Sequence, residues 1–156
     1  MSGWRRNGVC VTGGLELALA CDVLLASERA RFADTHVKLG LVPAWGMSAF
    51  LANAVGTRKA IELSLTGEFV DANEALHMGL VNHVLPHEDL MSRTYEIATA
   101  MRDADPVAAR IMLDLYRRSA GRSVEKALAL EHEVFAAWRT DGGGLVSRRN
   151  RESPIP

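Results

Sequence analysis

The sequence predicts an α/β fold that gives way to helices, and three observations carry that expectation. A β-branched run, Gly8-Val-Cys-Val-Thr12, enters the glycine pair Gly13-Gly14, which opens an amphipathic stretch with Glu16 in its first turn. Short Val- and Leu-rich runs then alternate with helical patterns as far as Pro86. Beyond Pro86 the apolar residues recur at three- and four-residue steps, the period of a helix face.

The elements follow in order. Gly8 to Thr12 reads as a buried strand, Gly13 to about Cys21 as a helix, Asp22 to Ser27 as a second strand, and Arg31 to Asp34 as a short extended piece. Ala44 to Ala54 and Arg58 to Leu65 read as helices separated by Gly56. Glu68 to Val70 is an extended link into a helix from Ala72 to His77, which Gly79 closes as a left-handed cap. Leu80 to Leu85 is a further strand, ended by Pro86. Three helices follow, His87 to Asp103, Pro106 to Ala120 and Ser123 to Arg139, with apolar stripes such as Leu90, Ile97 and Met101, then Val107, Ile111 and Leu115, then Leu128, Val134 and Trp138. Residues 141–156, with Gly142-Gly-Gly144, several arginines and two prolines, read as a flexible tail. The organisation is thus a core over 1–86, a helical region over 87–140 and a tail over 141–156. Strand and helix alternation fits stacked β-β-α turns and a doubly wound sheet equally well.

A strand running through Gly13-Gly14 into a helix has chemical consequences. The free N–H groups of a helix start point outward, the helix dipole favours negative charge there, and glycines leave the approach open to an oxygen. Such donors stabilise an acyl oxygen that gains charge. Glu16 lies about one helical turn along, where a carboxyl group can exchange protons with whatever is bound. The competing reading is a glycine-rich turn followed by a solvated first-turn glutamate.

Composition limits the other possibilities. A length of 156 residues with 48% hydrophobic content suffices for one ordinary core. A net charge of −1 gives no electrostatic reason to expect nucleic acid or an anionic membrane as partner. No stretch has the length and apolar character of a membrane span or the centre of a signal peptide, which points to the cytoplasm. Cys10 and Cys21 read as reduced core residues, and the five histidines lack the spacing of a metal site.

From Asn7 to about Pro86 the chain resembles the enoyl-CoA hydratase/isomerase (crotonase) family. The resemblance rests on five blocks in the family's order and spacing: Asn7 to Asp22, Ala30-Arg-Phe-Ala-Asp34, Leu39-Gly-Leu-Val-Pro-Ala-Trp-Gly46, Leu65-Thr-Gly67 and Ala75-Leu-His-Met-Gly-Leu-Val81. It implies a partial crotonase-like β-β-α spiral core followed by C-terminal helices, and so selects between the two topologies. Family members are usually longer, and what precedes Asn7 in them holds further strands, much of the CoA site and a second oxyanion donor. Met1-Ser-Gly-Trp-Arg-Arg6 stands where the family has an apolar strand, and this composition does not predict a buried one. The expectation is a truncated member that catalyses poorly alone and tends to associate.

By the same resemblance, the Gly13 N–H is one donor to a thioester oxygen, and Glu16 matches one of two glutamates with which hydratases handle water and protons. His36 stands where the second would fall, as a proton shuttle or as a spectator, with Asp34 a further carboxylate nearby. Gly14, Pro43, Trp45 and Gly46 would form the substrate-binding surface, with Trp45 an apolar wall and Gly46 admitting close approach. The implied partner is an acyl-CoA thioester, the CoA being carried by the substrate with no dissociable cofactor. A homo-oligomer, trimer or hexamer, is implied as well. Hydration of a 2-enoyl-CoA is the leading activity. Isomerisation or another enolate reaction, and a non-catalytic remnant that oligomerises or binds acyl-CoA, are the alternatives.

Overall fold

The computed structural model describes residues 3–6 and 8–140; the tail expected over 141–156 lies outside the described residues. The first strands and helix are β1 (Gly3–Arg6), β2 (Val9–Val11), α1 (Gly13–Leu19), β3 (Val23–Ser27) and β4 (Arg31–Ala33). They are joined later by β5 (Val70–Asp71) and β6 (His83–Leu85). β1, β3 and β6 form one parallel sheet with β3 central. β2, β4 and β5 form a second with β4 central, parallel to β2 and antiparallel to β5. Successive strands β1 to β4 therefore alternate between two sheets, with α1 inserted once per pass. In a doubly wound fold they would join a single sheet, so the topology is the stack of β-β-α turns.

Gly3–Arg6 is a strand despite its composition, its backbone pairing with Val23 through Ala26. A ladder is made of backbone N–H and C=O groups, which Trp4, Arg5 and Arg6 supply as well as valines do.

The core gathers where the two sheets meet α1 and the next two helices, α2 (Met47–Val55) and α3 (Thr57–Thr66). Cys10 and Phe32 come from β2 and β4, Leu24 and Ala26 from β3, Leu15 and Ala18 from α1, and Met47, Leu51 and Leu63 from the later helices. α2 begins three residues later than the sequence pattern suggests, because Gly46 sits at φ 106°, a conformation no helical residue adopts. α4 (Ala72–His77) is opened by a capping box, Asp71 accepting from the Glu74 N–H and Glu74 from the Asp71 N–H, each at 2.9 Å. Gly79, at φ 80°, follows it as expected. β6 is shorter than the predicted strand, since Leu80 and Val81 turn into the core instead of joining the ladder.

The chain divides into two compact units, Met1–Met101 and Arg102–Pro156. The division falls inside α5 (Leu90–Asp103), not at residue 86, which directly follows the last strand. In the second unit α6 (Pro106–Ser119) packs on α7 (Val124–Thr140). Pro106 occupies the first turn of α6, and the Asp105 side chain caps it by accepting the N–H groups of Val107 and Ala108 at 3.0 and 2.9 Å. Of the stripes predicted for these two helices, Ile111, Leu115, Val134 and Trp138 are half-covered and Val107 and Leu128 exposed, while Leu130, outside the predicted stripe, is buried. Cys10 and Cys21 are thiols rather than disulfide partners, buried and half-buried. Among the described residues, no helix is long and apolar enough to cross a membrane.

Candidate active site

The backbone leaves β2 through Thr12, whose φ of 48° and ψ of −124° put a β-branched residue where L side chains rarely go. Its N–H donates to the Ala33 carbonyl at 3.3 Å, and its carbonyl accepts from Leu15 and Glu16 at 2.9 and 3.0 Å. Its hydroxyl lies 2.9 Å from that of Thr35. This turn starts α1 at Gly13, whose N–H donates to no acceptor among the described residues. Thr12→Val keeps the branched shape and loses only the hydroxyl, so equilibrium denaturation should show a loss of about 1 kcal/mol. Thr12→Gly relieves strain of about 1–3 kcal/mol but forfeits that bond and gains chain entropy in the unfolded state. Both variants lose the bond, so Thr12→Gly should be the more stable of the two by up to about 2 kcal/mol, the strain relieved less the entropy cost.

One helical turn on, Glu16 points inward. It is 3% exposed, with Asp34 at 2% and His36 at 6%, so the reading of a solvated first-turn glutamate is wrong. Glu16 Oε1 accepts the N–H groups of Trp45 at 2.7 Å and Met47 at 3.3 Å. Oε2 faces His36 Nε2 at 3.6 Å. On the far side of the ring, His36 Nδ1 lies 2.6 Å from Asp34 Oδ1. The same oxygen accepts the His36 backbone N–H at 3.2 Å, and Asp34 Oδ2 accepts the Ser64 hydroxyl at 2.7 Å.

The local sequence explains this arrangement. Asp34 ends the extended run of β4, and an aspartate that accepts the N–H two residues on forms a tight turn. That turn brings the His36 ring back onto the oxygen already bound to its backbone. The His36 carbonyl then accepts from Leu39 and Leu41, at 3.0 and 2.9 Å, around a single 3-10 turn at Val37–Leu39. A line of side chains results, running from Ser64 on α3 through Asp34 and His36 to Glu16 on α1. Buried charge is costly unless paired and hydrogen-bonded, and each of these groups has partners.

The loop before α2 closes over the start of α1. A Cβ placed on Gly13 would stand 2.9 Å from Cζ3 of Trp45, so the indole rests directly on Gly13 while the Trp45 N–H binds Glu16. Trp45 thus touches both residues of the proposed chemistry and is itself 63% exposed. Gly46 has a different use from the expected one, since the space beside its Cα is filled by the Phe50 ring, which would stand 2.6 Å from a Cβ placed there. Gly14 accepts a weak Cys10 Sγ contact at 3.5 Å through its carbonyl, and Pro43 is half-buried in the loop preceding Trp45.

With this geometry in hand, comparison with known proteins is decisive. The family model for enoyl-CoA hydratase/isomerase matches residues 6–142. The chain belongs to that family. A probable enoyl-CoA hydratase of Mycobacterium tuberculosis is 38% identical over 135 residues, 86% of this chain and 52% of the relative. The crystal structure of an enoyl-CoA hydratase from the same organism superposes with a TM-score of 0.71 at 43% identity, covering 86% of this chain and 61% of that one. A Thermobifida fusca protein, described as a putative enoyl-CoA hydratase and solved in complex with acetoacetyl-CoA, superposes at a TM-score of 0.82 with 26% identity, over 88% of this chain and 55% of that one. The chain spans about half the length of the curated relatives it matches. The fold is crotonase-like, a mixed α/β core ending in helices.

Within this family member the structure brings Gly13, Glu16, His36 and Trp45 together. Sequence reasoning did not foresee the bond from Asp34 to His36, the anchoring by Ser64, or the strain at Thr12. The Asp-Thr-His spacing is the signal for the first; Ser64 lies too far along the chain to leave one.

Proposed function

We propose that the chain adds water across the double bond of a 2-enoyl-CoA thioester, with Glu16 as the acid/base and Gly13 as an oxyanion donor. The observation that carries this reading is a buried, hydrogen-bonded Glu16 carboxylate beside a helix start whose first N–H is unengaged among the described residues, both in contact with Trp45. Glu16 takes a proton from water as the oxygen bonds to the β-carbon. The electron pair of the double bond moves to the thioester oxygen, where the Gly13 N–H meets the growing negative charge. Glu16 then returns the proton to the α-carbon, and the electron pair re-forms the thioester carbonyl. The balance is one water added and the enzyme unchanged. The two backbone donors on Glu16 Oε1 hold the carboxylate in one orientation, which proton transfer requires.

An acyl-CoA ligand is supported by the relative solved with acetoacetyl-CoA. Self-association is part of the same reading, since it would cover apolar groups such as Leu41 and Val42 that stand exposed beside the site. Isomerisation is the second reading, favoured by His36 standing where the resemblance places a second glutamate, because moving a proton between two carbons needs only one carboxylate. Incubating the chain with crotonyl-CoA and, separately, a 3-enoyl-CoA, with products identified by mass spectrometry and chromatography, distinguishes the two. The expected product from crotonyl-CoA is 3-hydroxybutyryl-CoA. Conversion of the 3-enoyl substrate with no hydration of crotonyl-CoA would overturn hydration in favour of isomerisation.

A further inference from the structure

We infer that Asp34 is a positioning residue that fixes the tautomer of His36 and thereby makes Glu16 and His36 share a single exchangeable proton. The inference rests on the assignment of Glu16 to proton transfer and deepens it. Asp34 Oδ1 is 2.6 Å from His36 Nδ1, and the carboxylate has no proton to offer there when ionised. Nδ1 must therefore carry the hydrogen and donate it. The aspartate cannot turn away, because its Oδ1 also holds the His36 N–H and its Oδ2 holds Ser64.

With Nδ1 committed as donor, Nε2 is left facing Glu16 Oε2 at 3.6 Å, in a site where both side chains are almost fully buried. A neutral imidazole in this tautomer and an ionised glutamate would present two lone pairs to each other. One proton between them removes the conflict, held either as an imidazolium beside a carboxylate or as a neutral ring beside a carboxylic acid. At 3.6 Å the contact is an ion-pair separation rather than a formed hydrogen bond, and apo catalytic contacts of this kind shorten on binding.

The consequence is a division of labour during hydration. Starting from ionised Glu16 and protonated His36, Glu16 accepts the proton that water loses, and either partner can supply the proton that the α-carbon gains. If His36 supplies it, the proton on Glu16 passes to Nε2 afterwards, and the pair returns to its starting state with no net change. His36 then does part of the work of a second carboxylate without being one, and Asp34 is what aims it.

The test is nitrogen NMR of the full chain labelled with 15N at histidine, with His36 assigned by its loss in His36→Gln. The expected wild-type spectrum shows a protonated Nδ1, and Asp34→Ala shifts the ring toward the Nε2-protonated neutral form. A wild-type His36 with bare Nδ1 and protonated Nε2 would overturn the inference, and that reading needs no variant to fold. A ring unchanged in a folded Asp34→Ala protein would overturn it equally. On crotonyl-CoA, Asp34→Ala should lower kcat by on the order of a hundredfold with KM little changed, the signature of lost aim rather than lost binding. The tautomer is read without turnover, so failure of the hydration proposal and failure of this inference leave different records.

Discussion

Glu16→Gln is expected to lower hydration of crotonyl-CoA at least about a hundredfold while leaving the fold intact. Glutamine has nearly the same shape, and its amide oxygen can go on accepting the Trp45 and Met47 N–H groups that Glu16 Oε1 accepts at 2.7 and 3.3 Å. What it cannot do is take up a proton. The amide nitrogen then faces His36 Nε2 and donates to it, which is compatible with a neutral ring whose Nδ1 is already bonded to Asp34. Thermal unfolding close to that of the parent, together with the loss of turnover, separates chemistry from collapse. A parent-like rate in the glutamine variant would remove Glu16 from the mechanism.

The largest effect on stability is expected from Phe32→Ala. Phe32 is fully buried on β4, the central strand of its sheet, between Cys10 on β2 and Val70 on β5 in the pairing register. Removing a buried phenyl ring costs about 3–5 kcal/mol, because the lost transfer energy adds to that of the cavity left behind. A small cavity lined by Phe32, Leu15, Leu51 and Leu63 already exists there, so the deletion enlarges a void that its neighbours have not closed. Against a total of about 5–15 kcal/mol for an ordinary domain, the loss is a large fraction. Urea denaturation followed by circular dichroism should show the midpoint falling sharply. A change below about 1 kcal/mol would mean that this sheet is not part of the cooperative core. Because Asp34 follows directly on β4, the variant should also lose order at His36.

How much of this was legible beforehand differs from residue to residue. The order of elements from β2 to α4 could be read because each carries a local signal: a β-branched run for β2, the Val23-Leu-Leu25 run for β3, glycines at the turns, and Gly79 after α4. Gly13 and Glu16 were legible for the same reason, since a strand, a glycine pair and a first-turn carboxylate lie adjacent in sequence. The assignment of strands to two sheets was not legible from periodicity, because pairing joins residues such as Val9 and Arg31 that share no local pattern. Gly3–Arg6 was missed as a strand because its pairing is a backbone property, to which composition is a poor guide. The positive φ at Thr12, on the residue before the glycine pair, has no local signal in the sequence. Neighbouring bonds from Ala33, Thr35, Leu15 and Glu16 hold the threonine there, and tertiary structure overrides the local preference.

His36 shows the same limit within the site. As a residue type it was legible as a possible proton carrier, but its setting depends on Ser64 and Glu16, which come from other helices. Only the folded chain shows that one face of the ring is committed to Asp34 and the other turned to Glu16. That difference decides whether the histidine is a spectator lining the site or a partner in its proton traffic.

The most direct measurement is a crystal structure of the chain with acetoacetyl-CoA, the ligand held by the Thermobifida fusca relative. The thioester oxygen is predicted to lie about 3 Å from the Gly13 N–H, with the β-carbon of the acyl group facing Glu16 and the Trp45 indole moved off Gly13 to admit it. A ligand bound elsewhere, or one whose thioester oxygen is turned away from Gly13 while Trp45 stays in place, would contradict the assignment of this helix start and its buried carboxylate as the active site.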